Sequence, residues 1–211
     1  MDKIKLICFD MDDTLISQNS WYILNTTLGI TQEEDQQMYT DYERGRLTYA
    51  NWVHKILEIY KKRGSVSKKT IESALLKYEL KVGTTEIIDY LQNKGYKIAL
   101  ISGSFDIVVD SVAKKLNIDL KKANTSFVFD EDNNLVNIDS AGDEKTAKLK
   151  HLESFCNKLG IQVSECVCVG DGANDIEMFR ATQHGITFED SPIKEEAWKV
   201  VPDISGLKDI L

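Results

Sequence analysis

Asp10-Met11-Asp12-Asp13-Thr14 follows directly on the apolar run Ile4-Lys5-Leu6-Ile7-Cys8-Phe9 and places three carboxylates within four residues. Acids packed this closely repel one another until a cation or a proton offsets them, and their hard oxygens suit a divalent metal. Three later stretches carry complementary chemistry. Ile98-Ala99-Leu100-Ile101 ends in Ser102-Gly103-Ser104 ahead of a helical pattern, a junction that aims backbone N–H groups and a hydroxyl at an anion. Lys145 opens Lys145-Thr146-Ala147-Lys148-Leu149, a cation entering an amphipathic helix and able to neutralise phosphate. Val167-Cys168-Val169 runs into Gly170-Asp171-Gly172-Ala173-Asn174-Asp175, two acids beside an amide, with glycines that permit a tight turn and close backbone approach.

The elements that must position these residues follow from their flanks. Short apolar runs of four to six residues read as buried parallel strands, and in an open α/β sheet ligands bind beyond the carboxyl ends of such strands, where three of the four stretches lie, the Lys145 stretch opening a helix. After Leu15 the pattern turns helical until about residue 80, with helices expected over 21–28, 31–43, 48–62 and 67–80, separated by Gly29, Gly45 and Gly64. Thr31 and Glu34 have capping-box spacing, and Trp52, Ile56, Ile59 and Tyr60 form a stripe at helical intervals. From residue 84 helices and strands alternate again: a helix capped by Thr84 and Thr85, a strand over 96–101, a helix over 105–116, a hairpin of 126–129 with 135–138, a helix over 145–159 and strands over 166–169 and 185–188. The expected fold is a doubly wound, Rossmann-like α/β core with a mainly parallel sheet and an inserted helical-bundle cap. The core takes residues 1–15 and 81–211, and the cap takes 16–80.

The nucleophilic aspartates, the Ser-Gly grip, the lysine and the Gly-Asp-Gly-x-Asn-Asp loop, in that order, resemble the haloacid dehalogenase-like superfamily of phosphatases, and most closely its phosphoserine phosphatase branch. The resemblance spans nearly the whole chain. It implies Asp10 as the nucleophile that forms an aspartyl-phosphate, and Asp12, two residues on and projecting to the same side, as the acid and then the base. It implies Mg²⁺ held by the Asp10 carboxylate, the Asp12 backbone carbonyl and Asp171. Ser102, Gly103 and Lys145 are expected to hold the phosphoryl oxygens with Asn174 nearby, Asp175 to orient Lys145 or the metal water, and Thr14 to support the loop. Lys148 is the rival for the lysine role; Lys145 is preferred on the family's Lys-x-x-x-Leu spacing through Leu149.

The chain departs from that branch at two places. Asn19 stands where the family carries a glutamate for the substrate ammonium, and His54 where it carries an arginine for the substrate carboxylate. Both are expected at the substrate, and both lack the family's charge, so a small phosphate ester other than phosphoserine is expected. A phosphotransferase using the same intermediate, or a silent phosphate-binding protein, are the alternatives. The latter would be expected to lose one of Asp10, Asp12, Lys145 or Asp171. A net charge of -8 argues against nucleic-acid and anionic-membrane partners, which need basic patches. No run of 18 apolar residues occurs, and a strand begins right after Met1-Asp2-Lys3, so a cytoplasmic protein acting on a small phosphorylated metabolite is expected. Cys8, Cys156, Cys166 and Cys168 are read as small buried residues rather than zinc or redox groups. Histidine is not expected at the centre of the chemistry: His151 and His184 fall outside every motif.

Overall fold

The computed structural model describes residues 4–211; Met1, Asp2 and Lys3, expected at the head of the core, lie outside the described residues. A seven-stranded sheet organises the chain, built from β1 (Leu6–Phe9), β2 (Lys97–Phe105), β3 (Leu120–Phe129), β4 (Leu135–Ser140), β5 (Cys166–Val169), β6 (Gly185–Phe188) and β7 (Lys199–Val201) in the order β4-β3-β2-β1-β5-β6-β7. All pairs are parallel except β3 with β4, the expected hairpin, which closes one edge. β1 sits at the centre with every residue buried, as its apolar run requires of a strand covered on both faces. The order reverses at β1, between β2 on one side and β5 on the other, which is the switch point where a crevice opens at the carboxyl end of an α/β sheet.

Around the sheet lie α5 (Thr84–Asn93), α6 (Asp106–Lys115), α7 (Glu144–Leu159) and α8 (Ile176–Thr182). Strand β2 is longer than the apolar run alone predicts, because Ser102, Gly103 and Ser104 continue it as buried residues to Phe105, with a shift of register against β3 after Ser102. The expected side-chain cap of α5 is absent: Gly83 is the N-cap with left-handed φ 86°, and the Thr84 hydroxyl donates to the Leu15 carbonyl at 3.2 Å. The short edge strand β7 escaped the sequence reading because only Val201 of its three residues is buried, so it carries little apolar signal.

Four helices, α1 (Ser20–Thr27), α2 (Gln32–Glu43), α3 (Tyr49–Arg63) and α4 (Lys68–Leu75), stand between β1 and α5 as the cap. The Thr31 hydroxyl accepts from Glu34 N at 3.2 Å and the Glu34 carboxylate from Thr31 N at 2.8 Å, the expected capping box. α3 buries Tyr49, Trp52, Val53, Ile56, Leu57 and Tyr60 along one face. α4 stops at Leu75, earlier than expected, because the chain then extends to bridge Leu80 to Ile16. Backbone bonds from Ser17 N to Glu79 O and Lys81 N to Leu15 O lash the two connections of the cap to each other. All four cysteines are free and buried, as expected. No helix among the described residues is long and apolar enough to cross a membrane.

Candidate active site

Most of the candidate side chains gather at the carboxyl ends of the central strands; Lys145 and His54 do not. Asp10 follows β1, with its N–H donating to Val169 O at 2.9 Å, so the end of β1 is tied to the end of β5 and Asp10 faces the Asp171 loop. Burial raises the Asp10 pKa, Lys148 pulls it back, and the Asp175 and Asp171 carboxylates raise it further. Asp12 turns toward the cap. Its two oxygens accept from Ser20 N at 3.0 Å and Ser20 Oγ at 2.7 Å, at the first residue of α1. Burial pushes Asp12 up to about 7 against those two bonds, a value suited to giving a proton and taking it back near neutrality.

Lys148, not the expected Lys145, is the lysine buried among these carboxylates. Lys148 Nζ lies 3.0 Å from Asp10 Oδ1, 2.8 Å from Asp175 Oδ1 and 3.0 Å from Asn174 Oδ1, with its side chain fully buried. Burial works against its charge, but Asp10, Asp175 and Glu144 outweigh that and hold the ammonium above its ordinary pKa. Lys145 sits over the ring of Tyr42 at 5.4 Å instead. The cause is helical phase: α7 buries Glu144, Ala147, Lys148, Leu152, Phe155 and Cys156, and Lys145 falls off that face. A lysine four residues before Leu152 on the apolar stripe was the available signal, but Lys145 before Leu149 offered a similar one.

Asp175 holds the site lysine, as expected of a residue that orients it, though the lysine is Lys148, and it also stands among the acids. Single carboxylate oxygens of Asp10, Asp171 and Asp175 all lie within 4.8 Å of one another. Burial and Asp175 push Asp171 up to about 6, and Thr14 Oγ1 donates to Asp171 Oδ1 at 2.8 Å, the loop support expected of Thr14. Hard carboxylate oxygens converging in a buried, mutually repulsive set fit a magnesium ion, which would offset their charge. The Asp12 carboxylate is committed to Ser20, so its backbone carbonyl is the donor that Asp12 can offer there. Gly170 is required by this packing: a Cβ on it would lie 2.2 Å from Asp175 Oδ2.

Ser102 is buried, its Oγ accepting from Ser104 N at 3.1 Å, and it lines the same cavity as Gly103 and Asn174. Glu144, which sequence reasoning passed over, is buried here too, and burial raises its pKa. It accepts from Asn174 Nδ2 at 3.1 Å and packs so tightly on Gly103 that a Cβ there would come within 2.1 Å of Glu144 Oε2. Nothing in composition or spacing singles out Glu144 or Ser20, since an acid in the first turn of a helix and a serine at another are ordinary helix-start residues.

Asn19 lines the cavity and caps α1, accepting from Tyr22 N at 3.0 Å. His54 does not reach it. It lies on the outer face of α3, with its side chain 70% exposed and Nε2 3.7 Å from Glu58, because the helix turns Trp52, Val53 and Ile56 inward. Trp21, Tyr22 and Trp52 line the cavity; Trp21 and Trp52 are at the same time part of the hydrophobic core, and Tyr22 is partly exposed. Tyr49, buried, bonds Thr125 Oγ1 at 3.0 Å and donates to Gly103 O at 3.4 Å, which ties α3 to the Ser102-Gly103 grip. The cavity thus enclosed by cap and sheet measures about 660 Å³.

Comparison with known proteins agrees with this geometry. A family model described as haloacid dehalogenase-like hydrolase matches residues 4–182. The chain is 32% identical to the phosphoserine phosphatase of Methanocaldococcus jannaschii over 99% of this chain and 97% of that one. It is 31% identical to that of Campylobacter jejuni subsp. doylei over 99% and 98%. A solved structure described as a phospho-aspartyl intermediate analogue of phosphoserine phosphatase superposes with TM-score 0.85 at 29% identity, covering 99% of both chains. A substrate-bound phosphoserine phosphatase complex gives TM-score 0.84 at 28% identity. With its site assembled at the switch point of a Rossmann-like sheet beneath a helical cap, the chain belongs to the haloacid dehalogenase-like hydrolases, in the phosphoserine phosphatase-like branch, and is a phosphoric monoester hydrolase.

Proposed function

We propose that the protein hydrolyses a small-molecule phosphate monoester through an aspartyl-phosphate on Asp10, with Mg²⁺ as cofactor. The observation that carries this reading is Asp10 at the end of the central strand, 3.0 Å from a buried Lys148 ammonium and followed two residues later by an acid held against Ser20. Asp10 attacks phosphorus as the bond to the alcohol oxygen breaks, and Asp12 gives that oxygen its proton. Asp12 then takes a proton from water as the water oxygen attacks the phosphorus of the acyl phosphate, which frees inorganic phosphate and restores Asp10. Splitting the reaction matters because phosphate monoesters hydrolyse very slowly unaided, with accelerations reaching ~10²¹-fold.

The phosphoryl transition state spreads charge over its outer oxygens and needs positioning and electrostatic relief. Ser102 Oγ, the Gly103 N–H and Lys148 supply these, and Asn174 fixes Lys148 by accepting from its ammonium. A magnesium ion, when bound by Asp10, Asp171 and Asp175 with the Asp12 carbonyl, would offset their charge and polarise the phosphoryl oxygens. The division into core (1–15 and 81–211) and cap (16–80) is supported by the crossing between Ile16 and Leu80. Four buried free thiols suit the reducing cytoplasm, the compartment we assign.

The test is steady-state hydrolysis of an aryl phosphate and an alkyl phosphate panel with Mg²⁺ and with chelator, plus acid-quench labelling of the enzyme. We expect metal-dependent turnover, and labelling that disappears in Asp10→Asn. Undiminished turnover by metal-free protein, or by Asp10→Asn, would refute the mechanism.

A further inference from the structure

Besides the residues at the strand ends, the cavity is lined by aromatic and acidic side chains. Tyr22 of α1 and Tyr39 of α2, 38% and 43% exposed, line it beside Trp21 and Trp52, whose ring centroids are 4.8 Å apart. Asp13 and Asp35 line it as well. Among the described residues no lysine, arginine or histidine does: His54 points away, Lys145 lies over Tyr42, and Lys148 is sealed against Asp10 and Asp175.

This lining discriminates between the two ends of an amino-acid phosphate. A carboxylate on the alcohol would meet Asp35 with no cation lining the cavity to offset it, and Asp13, whose charge Lys81 offsets only from outside the cavity, adds to the repulsion; like charges brought together in a partly buried space cost affinity. An ammonium there meets aromatic faces, whose negative π surfaces attract cations, and carboxylates that complete the attraction. The buried indole N–H groups of Trp21 and Trp52 close no hydrogen bond in the protein. They are neutral donors, suited to a hydroxyl or ester oxygen, and they do not offset a carboxylate charge.

We infer that the substrate is the phosphate ester of an amino alcohol that carries an ammonium group and no carboxylate, with the ammonium held by Tyr22, Tyr39 and Asp35. This rests on the phosphatase reading above and narrows its substrate. It also reverses the expectation that losing a glutamate at Asn19 weakens ammonium recognition, because Asp35 and the aromatic side chains supply it from other helices.

Three esters isolate the two charges. Propyl phosphate and 2-aminoethyl phosphate differ by a methyl against an ammonium of similar size, and 2-aminoethyl phosphate and phosphoserine differ by a carboxylate. With Mg²⁺ present, kcat/KM for 2-aminoethyl phosphate is expected to exceed that of propyl phosphate by about fivefold or more, the scale of one cation–π contact, and to exceed that of phosphoserine. In Tyr39→Leu and Asp35→Asn the ratio of aminoethyl to propyl ester should fall toward one. Propyl phosphate or phosphoserine matching the aminoethyl ester overturns the inference, as does a ratio unchanged in both variants. An aryl phosphate assayed alongside separates the two levels. Its hydrolysis with the wrong preference refutes the substrate class alone, whereas no hydrolysis of any ester refutes the phosphatase reading and this inference with it.

Discussion

A fully buried ammonium 3.0 Å from Asp10 and 2.8 Å from Asp175 cannot be removed without leaving those carboxylates to repel each other and an incoming phosphate. Lys148→Met is therefore expected to lower kcat/KM by about 100-fold or more, the usual scale for losing a preorganised group that stabilises transition-state charge. Lys145→Met, which removes a half-buried charge from over the Tyr42 ring and not from the carboxylates, should change it by less than about fivefold, within the modest value of a single cation–π contact. Steady-state kinetics of the two variants decide the lysine assignment, and the opposite ranking would restore Lys145. Asp12 offers a second contrast. Asp12→Asn should slow hydrolysis of an alkyl phosphate by ~10² to 10⁴-fold, while an aryl phosphate, whose leaving group needs no proton, should lose less in phosphoenzyme formation. Rapid-quench bursts measure that step, and equal losses for both esters would contradict a proton-donor role.

The helices carry their own consequences. α3 is anchored to the end of β2 through the hydroxyl of Tyr49, which bonds Thr125 and Gly103 O from the first residue of the helix. Tyr49→Phe keeps the ring and its edge contacts with Tyr42 and Trp52 but removes both bonds of the hydroxyl, leaving the Thr125 hydroxyl and the Gly103 carbonyl only their bond to each other at 3.3 Å. A loss of about 1 kcal/mol in urea unfolding is expected, the common net value of a buried hydrogen bond. The capping box of α2 makes a comparable case: Thr31→Ala removes one of its two bonds and should cost about 1 kcal/mol. If stability is unchanged in Tyr49→Phe, the α3 contact contributes nothing to holding the cap on the sheet.

Glu144 affects the stability of the whole molecule. Burial raises its pKa in the folded protein, while in the unfolded chain it titrates near the ordinary glutamate value. A carboxyl raised on folding destabilises the native state above its folded pKa, and that penalty is relieved as pH falls through the folded pKa toward the unfolded one. Glu144→Gln keeps an oxygen to accept from Asn174 Nδ2 and removes the titration. The variant should therefore be more stable than the parent at neutral pH, with the advantage vanishing in acid; an advantage that grows toward low pH would reverse the sign and refute the argument. Magnesium should act on the fold as well, because a ligand that binds only the native state stabilises it, by about 2.7 kcal/mol at 100 times its Kd. Thermal unfolding should shift upward with Mg²⁺, lose the shift with chelator and lose it in Asp171→Asn; a midpoint indifferent to Mg²⁺ in the parent would remove the acidic trio from metal binding.

Local chemistry made much of this protein readable in one dimension. Strand runs such as Cys166–Val169 and Gly185–Phe188 match the structure at both ends, because a buried strand must be apolar along its whole length and a turn must follow it. Asp10, Asp12, Asp171 and Ser102 were legible for a related reason: each lies at the end of such a run, so the strand that reveals the residue also aims it. Residues borne on helices behaved differently. Whether Lys145 or Lys148 enters the site depends on how α7 is rotated about its axis, a difference of three residues that packing settles by burying Glu144, Lys148, Leu152 and Phe155 together. The same rotation in α3 sends His54 to solvent and Trp52 to the cavity. Ser20 reaches Asp12 across the short connection into α1, whereas Asp35 joins Asp13 only because the helices of the cap fold back over the sheet. The reaction was thus written in short stretches whose geometry is local, whereas the charge and shape of the pocket that chooses the alcohol come from side chains far apart in the chain, which only the packing of cap on core brings together.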